Sequence, residues 1–562
     1  MHTVVGSGPG AEAAAAGLAD ADVETTREVD HIERADVALV VGRAGSDLFE
    51  RANEAARAGE TAWLAVELGG LGGYPVVDAA VTGLAPGRGC YDCLRSRVDA
   101  NHEGDRGVDT DPDPATARLA GAVAGHEAVR HASDGADIFG RVVVVPYTER
   151  PLLPVPTCDC GSKPGWSVPR DHTERGLDTA LALAERSLDD RVGLVQEVGE
   201  AESFPLPYYL TQLCDTSVFS DATAPQQAAG VDPDWNRAFM RALGEGLERY
   251  CAGVYREDDL LRGRPTAVES AVDPGAFVCR RDPAGESIRW VPGTNLHSDD
   301  PVALPATFVC QPPPVERYRP AVTTGLGFGN SGAEALLSGL YEVIERDAAM
   351  LAWYSSFEPL ALAVETDRVE TMRSRAASES LAVTLLLLTM DVDVPVVAAA
   401  VHREAWPRFA VGTAADLDAG VAAESALAEA LQNWTELRGM GPDRAGAASG
   451  AIGRYADRPD PAEGFIDAPT TVDATDVSAA DLGGRAELGA VLDRLADAGL
   501  DAHAARTTTR DVATLGFEAV RVLVPEAQPL ALGEPYFGER AETAPAALGF
   551  APRLDREHHP FP

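Results

Sequence analysis

Short, nearly unbroken apolar runs recur in the first third of the chain, at residues 37–41, 62–67 and 141–146, as strands buried on both faces require. The opening Val4-Val5 passes into Gly6-Ser7-Gly8-Pro9-Gly10 and an alanine-rich segment, which predicts strand, tight turn and helix, the start of a Rossmann-like unit. From about Leu177 the period changes, and helix-competent stretches alternate with β-like runs such as 396–401 and 520–524. The expected fold class is α/β and α+β. A truncated Rossmann-like domain over residues 1–176 precedes a mixed α/β domain over 177–562. Loops are expected at 105–114 and 150–157, and the Asp/Pro-rich stretch 458–481 reads as a loop or a lid.

As a cofactor fingerprint the N-terminal glycines are incomplete. A third glycine is missing, and the strand at 37–41 ends in Gly42-Arg43 with no acidic partner for a ribose. A structural relic fits better than a working dinucleotide site. The sole lysine, Lys163, lies in Gly161-Ser162-Lys163-Pro164, so no ordinary phosphate loop is present either.

Inside the predicted helices two stretches carry the same arrangement, Glu245-Gly246-Leu247-Glu248-Arg249 and Glu342-Val343-Ile344-Glu345-Arg346. Positions i, i+3 and i+4 share a helix face, so each stretch directs two carboxylates and a guanidinium the same way. A divalent cation would make such a pair of like charges favourable, and the arginine could then take a phosphate. An ordinary solvated face is the competing explanation for either stretch alone. A third helical stretch repeats the theme with Glu429, Gln432 and Glu436 on one face. Glu334 follows the glycine-rich run Gly325-Leu326-Gly327-Phe328-Gly329-Asn330-Ser331-Gly332, where backbone amides can approach an anion.

These motifs, in this order, resemble the nucleotide signatures of the YcaO family. Asn330-Ser331-Gly332-Ala333-Glu334 with Glu342-Val343-Ile344-Glu345-Arg346-Asp347 looks like its central ATP-binding motif, flanked by the Glu245/Glu248 and Glu429/Gln432/Glu436 stretches. The resemblance implies that Glu245, Glu248, Glu334, Glu342 and Glu345 hold Mg²⁺ and orient the phosphates of ATP. Asn330, Gln432 and Glu436 complete the pocket, and Arg249 and Arg346 neutralise phosphoryl charge. His559-Pro560-Phe561-Pro562 is similar to the proline-rich terminus of azoline-forming members, with His558 where a further proline is usual. By that likeness Pro560, Phe561 and Pro562 order the catalytic groups, with His558 or His559 a candidate proton acceptor. A solvated tail is the alternative.

Of eight cysteines, four form two short-spaced pairs, Cys90-x-x-Cys93 and Cys158-x-Cys160. Together they can close one tetrahedral zinc site of structural type, a redox pair or separate structural thiols being the alternatives. Cys214, Cys251, Cys279 and Cys310 read as buried small hydrophobes. A Rossmann-like region bearing two cysteine pairs ahead of a YcaO region looks like the fused azoline synthetases. In those, a ubiquitin-activating-enzyme-like (ThiF-like) domain presents the peptide; here that region begins at its first strand, without a winged-helix-like peptide-binding segment upstream.

The balance of 47 Lys+Arg against 88 Asp+Glu gives a formal charge of −41. Such a surface suits a high-salt, halophilic cytoplasm, where screening is short-ranged, and it argues against a nucleic-acid partner. At 45% hydrophobic residues the chain can bury a large core, which excludes disorder. Without an 18-residue apolar run or a signal peptide, it is expected to be cytoplasmic with no membrane partner.

The function implied by the resemblance is ATP-dependent activation of peptide backbone amides. Cyclodehydration of Cys, Ser or Thr to thiazoline or oxazoline, as in bacteriocin biosynthesis, comes first. Thioamidation of a peptide or protein, and non-catalytic peptide binding, are the alternatives. The cofactors are ATP, Mg²⁺ and Zn²⁺. A peptide or protein substrate, a separate leader-binding or sulfur-donor protein and a homodimer are the expected partners.

Overall fold

The strand expected to open the chain is His2–Val5, and two further, largely apolar runs become Val37–Arg43 and Ala62–Leu68. The computed structural model describes all residues except 19–21, 105, 108–112, 135–137, 147, 282–284, 317, 448–450 and 480–481. A seven-stranded sheet runs in the order Val23–Thr26, His2–Val5, Val37–Arg43, Ala62–Leu68, Ala79–Leu84, Arg141–Val144, Thr148–Pro151. Its first four strands are parallel and the rest antiparallel.

Helices cover both faces. Val4, Leu39, Leu64 and Val66 pack beneath Pro9–Gly17 and Pro114–Asp134, while Val5, Val40 and Ala65 meet Asp47–Gly59 and Tyr91–Asn101. The two helices of the first face touch backbone to backbone, since a Cβ on Gly121 would lie 2.0 Å from the Gly10 carbonyl oxygen.

Beyond residue 176 the chain builds three more sheets. A three-stranded antiparallel sheet comprises Val195–Glu202, Tyr208–Leu213 and Gln227–Val231. A six-stranded sheet includes Leu326–Gly329 and Glu518–Leu523, and a five-stranded sheet includes Val396–His402 and Phe409–Ala415. The helix Gly332–Trp353 lies between the last two sheets, so it is apolar nearly all round: Leu336, Leu340 and Ala349 share one core with Ala398, Val411, Val520 and Val522. Ala419–Met440 packs on the far side of the five-stranded sheet through Ala423, Leu427 and Leu431. Trp235–Gly253 lies over Gln227–Val231, where a Cβ on Gly230 would sit 2.2 Å from the Ala242 nitrogen.

Several expected loops differ. Within 150–157, Arg150 and Pro151 belong to the edge strand Thr148–Pro151, because the Val-rich run before it supplies a pairing partner. The stretch 458–481 contains the helix Asp460–Ile466, the strand Thr471–Asp473 paired parallel to Leu360–Ala363, and the helix Ala474–Val477. Buried Ala462 and Phe465 anchor it to the core, so it is not a free lid. In 105–114, Asp105 and 108–112 lie outside the described residues. Residues before 176 also share a core with those after it: Cys93, Leu153 and Val155 pack with Leu243, Leu247, Val512 and Phe517.

A buried ion network ties the helix Arg540–Ala547 to Gly332–Trp353. Arg540 donates to both carboxylate oxygens of Asp347, Oδ1 at 3.1 Å and Oδ2 at 2.9 Å, and to Asp391 at 2.6 Å, while Asp347 also accepts the Gln528 amide at 2.7 Å. Arg540→Met should leave Asp347 buried and uncompensated and lower unfolding stability by about 3–5 kcal/mol, measured by denaturant titration. A change within about 0.5 kcal/mol would mean that solvent supports Asp347.

Candidate functional site

The three motif helices converge. Glu245, Glu248, Asn330, Glu334, Glu429 and Gln432 line one cavity of 610 Å³. Each helix begins where the local sequence supplies a start signal: Asp234 accepts the Arg237 amide, Asp418 accepts the Gly420 amide, and Ser331 precedes the helix of Glu334.

Glu342, Glu345, Glu436, Arg249 and Arg346 stand outside the lining set, as a supporting layer. Glu342 accepts the Gly325 amide at 3.0 Å, and Glu345 accepts the Thr413 hydroxyl at 2.6 Å. Glu436 accepts the Tyr208 hydroxyl at 3.0 Å and the Gln432 side-chain amide at 3.1 Å. Backbone amides also pin two of the lining carboxylates, Ala229 on Glu245 at 3.0 Å and Thr413 on Glu429 at 2.6 Å. Arg249 is paired with Glu245, and Arg346 faces Glu345 at 3.2 Å and Glu429 at 3.8 Å. Both arginines therefore serve carboxylates here and are not free groups in the cavity.

The electrostatics follow from this packing. Burial, then the nearby charges of Glu342 and Glu245, pushes the Glu248 carboxyl up to about 8. Glu345 is also pushed up to about 8, by burial and by Glu429 against the opposing pull of Arg346. Glu245 and Glu429 are raised by burial as well. These carboxyls can all ionise only at the cost of mutual repulsion, the condition under which a hard divalent cation displacing their protons would fit. At the glycine-rich approach, Glu334 holds the Asn330 amide at 3.0 Å, leaving Asn330 Oδ1 and Ser331 Oγ buried without hydrogen-bond partners among the described residues. The Ser331 hydroxyl, at the start of a 22-residue helix, can donate to an anionic ligand, whereas Asn330 Oδ1 can only accept from an N–H or O–H group.

Sequence reasoning missed four arginines. Arg175, Arg237 and Arg241 line the same cavity. The spacing 237, 241, 245 on one helix face was a usable signal for two of them. Arg521, 2% exposed, donates to the Val322 and Thr323 carbonyls and carries its charge toward Glu248 and Glu342. Nothing local in the strand Glu518–Leu523 marks it.

Residues 560–562 are docked. Phe561 is 1% exposed and meets Trp353 and Phe465 edge-on, and the main-chain oxygen of Pro562 accepts from Arg346 at 2.8 Å. His558 and His559 both contact the Ala531 carbonyl at 3.1 Å. Burial holds His559 down at about 3, so its ring is neutral and its Nδ1 is a buried, unpartnered acceptor among the described residues.

The four cysteines also come together. Their sulfurs all lie within 4.8 Å of one another, with Cys90–Cys158 at 3.6 Å, Cys93–Cys160 at 3.5 Å and Cys90–Cys93 at 3.9 Å. Tetrahedral bonds of ~2.3 Å to one metal would separate sulfurs by about 3.8 Å, so the donor set fits such an ion. All eight cysteines are free thiols; Cys214, Cys251 and Cys310 are buried, whereas Cys279 is only half-buried.

Comparison with known proteins agrees with this geometry. Among solved structures the fold is similar to a heterocyclase in complex with substrate and cofactor (TM-score 0.75, 18% identity, covering 98% of this chain and 83% of that one). It is also similar to the heterocyclase TruD (TM-score 0.66, 18% identity, 99% and 82%). The YcaO protein from Methanopyrus kandleri bound with AMPPCP and Mg²⁺ aligns with a TM-score of 0.51 at 25% identity, over 64% of this chain and 94% of that one. An uncharacterised protein of Methanothermobacter thermautotrophicus is 28% identical over 344 residues, 56% of this chain and 85% of its own length. Residues 229–528, which contain all three carboxylate helices, match the family described as YcaO cyclodehydratase, ATP- and Mg²⁺-binding. The chain belongs to the YcaO family.

Proposed function

We propose that this protein uses ATP to activate a peptide backbone amide so that a neighbouring Cys, Ser or Thr side chain closes onto it as a thiazoline or oxazoline. The observation that carries this reading is the cavity walled by carboxylates from three helices, with residues 560–562 docked against Arg346 behind it. Glu245, Glu248, Glu334 and Glu429 would hold Mg²⁺, backed by Glu342 and Glu345; bound there, the cation would supply neutralisation of phosphate charge. Arg175, Arg237 and Arg241 face the same space as donors for phosphate oxygens, while Asn330 and Gln432 orient the nucleotide. Glu436 fixes Gln432. Pro560 and Phe561 dock the terminus so that Pro562 holds Arg346, which in turn positions Glu345 and Glu429.

The region before residue 177 reads as a ubiquitin-activating-enzyme-like domain carrying a structural zinc on Cys90, Cys93, Cys158 and Cys160. A peptide substrate, a separate leader-binding or sulfur-donor protein and a homodimer complete the proposed assembly. The charge of −41 supports a high-salt working environment. Among the described residues no helix is long and apolar enough to cross a membrane.

Mass spectrometry of a Cys/Ser/Thr-containing peptide after incubation with ATP tests the chemistry. Loss of water supports ring formation, and a sulfur-for-oxygen increase would replace it with thioamidation. Glu345→Gln and Glu342→Gln should each lower ATP turnover by roughly 10–100-fold with the fold intact; wild-type turnover in both would remove the site.

The raised carboxyls also set a pH response. In the ligand-free protein Glu248 and Glu345 keep their protons up to about 8, whereas the unfolded chain releases them near 4.5. The folded state therefore binds more protons in that window, and stability should fall as pH rises from about 4.5 toward 8. Mg²⁺ competes with those protons. Its affinity, followed by calorimetry, should rise between about pH 6 and about pH 8 with proton release; a flat profile would contradict the placement of the cation.

Deleting residues 560–562 should release Arg346 and sharply lower peptide-dependent turnover while nucleotide binding persists. Intact turnover would discard the azoline assignment. For the cysteines, metal analysis should find about one zinc per chain, and Cys93→Ser should abolish it and loosen the N-terminal sheet first, as hydrogen exchange would report.

A further inference from the structure

The cysteine cluster and the nucleotide helix are joined by two consecutive residues, Arg510 and Asp511, which start the helix Arg510–Leu515. Arg510 is 6% exposed, and its Nη2 donates to Cys160 Sγ at 3.1 Å and faces Cys93 Sγ at 3.6 Å. Its Nε and Nη1 have no hydrogen-bond partner among the described residues. A guanidinium buried this way is stable only beside negative charge. Four neutral thiols or a pair of disulfides offer none, whereas four thiolates around a divalent ion carry a net charge of about −2.

Asp511 is fully buried and turns the other way. It pairs with Arg97 and accepts the Tyr250 hydroxyl at 2.7 Å. Arg97 lies on Tyr91–Asn101, the helix that also contains Cys93, and donates to Tyr250 Oη at 3.1 Å. Tyr250 directly follows Arg249, so it sits on the helix that presents Glu245 and Glu248 to the cavity. The next residue, Cys251, contacts Thr509 Oγ1 at 3.5 Å. The segment 509–511 thus touches the cysteine cluster, the helix growing from it and the carboxylate helix. All of these contacts are buried except the half-buried one to Cys160.

We propose that Arg510 and Asp511 are positioning residues that couple metal occupancy of the Cys90/Cys93/Cys158/Cys160 cluster to the placement of Glu245 and Glu248, so that loading the cluster sets the affinity for nucleotide. With one ion drawing the four sulfurs together, Arg510 is held over Cys160 and Cys93. Asp511 is then held against Tyr250, and the carboxylate helix keeps its register against the cavity. When the metal leaves, nothing ties Cys93 and Cys160 to one centre, and the sulfur face on which Arg510 rests is no longer fixed. The clamp then loosens from the cluster side. This inference rests on the reading of the cavity as the ATP site and of the cysteines as a metal site.

The test uses the full chain and three variants, with zinc affinity read by chelator competition and ATP affinity read by a fluorescent ATP analogue with Mg²⁺. Wild type stripped of zinc, and shown folded by circular dichroism, should bind the analogue several-fold more weakly and regain affinity on zinc addition. Arg510→Gln should lower zinc affinity by about tenfold and bind nucleotide weakly whether or not zinc is present. Arg510→Lys should restore part of both. Tyr250→Phe removes only the hydroxyl bond to Asp511 and avoids stranding Arg97. It should leave zinc affinity unchanged yet weaken the analogue's response to zinc.

Failure of the underlying reading has a separate signature: wild type that binds no ATP analogue at all, or no zinc at all, overturns the coupling together with the site it depends on. Wild type that binds both ligands with independent affinities overturns the coupling alone. Unchanged zinc affinity in Arg510→Gln does the same.

Discussion

Repulsion among carboxylates buried at one place is the constraint that organises the catalytic part of this protein. Two such charges 4 Å apart repel by about 4 kcal/mol at an effective dielectric near 20, and three helices bring Glu245, Glu248, Glu342, Glu345 and Glu429 within each other's influence. The protein offsets only part of that repulsion from within the cavity, through Arg175, Arg237 and Arg241. It places donors behind the carboxylates: backbone amides on Glu245, Glu342 and Glu429, the Thr413 hydroxyl on Glu345, and guanidiniums at Arg249 and Arg346. Each donor fixes a side-chain direction and leaves the group short of charge compensation on its open side. The remaining deficit raises the Glu248 and Glu345 carboxyls and makes the site receptive to a cation.

Holding like charges together demands a rigid frame, and this explains why the helix Gly332–Trp353 is sandwiched between two sheets. A helix with one solvated face could rotate to release Glu342 and Glu345 into water. This one cannot, since the core surrounds it and Asp347 is locked by Arg540 and the Gln528 amide. The same logic applies to residues 560–562. Phe561 fills a slot among Trp353, Phe465 and His559, which brings the Pro562 oxygen to Arg346 as one more acceptor for a guanidinium already shared by two carboxylates.

What was legible in the sequence is what local periodicity encodes. The 3.6-residue spacing placed the carboxylates of each motif on one helix face, and the apolar runs located strands, parallel and antiparallel alike, because both depend on neighbours a few residues away. The arrangement Arg237, Arg241, Glu245 was legible by the same rule. Arg175, Arg521, the Thr413 hydroxyl and Arg510 were not, because each side chain acts on groups far away along the chain, the Thr413 hydroxyl on Glu345 for one, and no local pattern marks a residue that meets a distant element. The stretch 458–481 misled for a related reason. Its polarity reads as loop, but parallel pairing of Thr471–Asp473 with Leu360–Ala363 and the burial of Phe465 are tertiary facts.

The choice of cation in the interior closes the electrostatic argument. Of 47 basic residues one is lysine, so 47 − 1 = 46 are arginine, and every buried basic group described above is among the latter. Burial and Arg319 push the Arg521 guanidinium down to about 10, still charged at neutral pH against Glu248 and Glu342. A lysine starts roughly two units lower or more, and the same environment would bring its ammonium to the edge of neutrality. Its three donors on a flexible stem also could not bridge the Val322 and Thr323 carbonyls as a planar fork does. A site built from uncompensated carboxylates keeps its geometry only if the few cations behind it never lose their charge, and arginine is the side chain that meets that requirement.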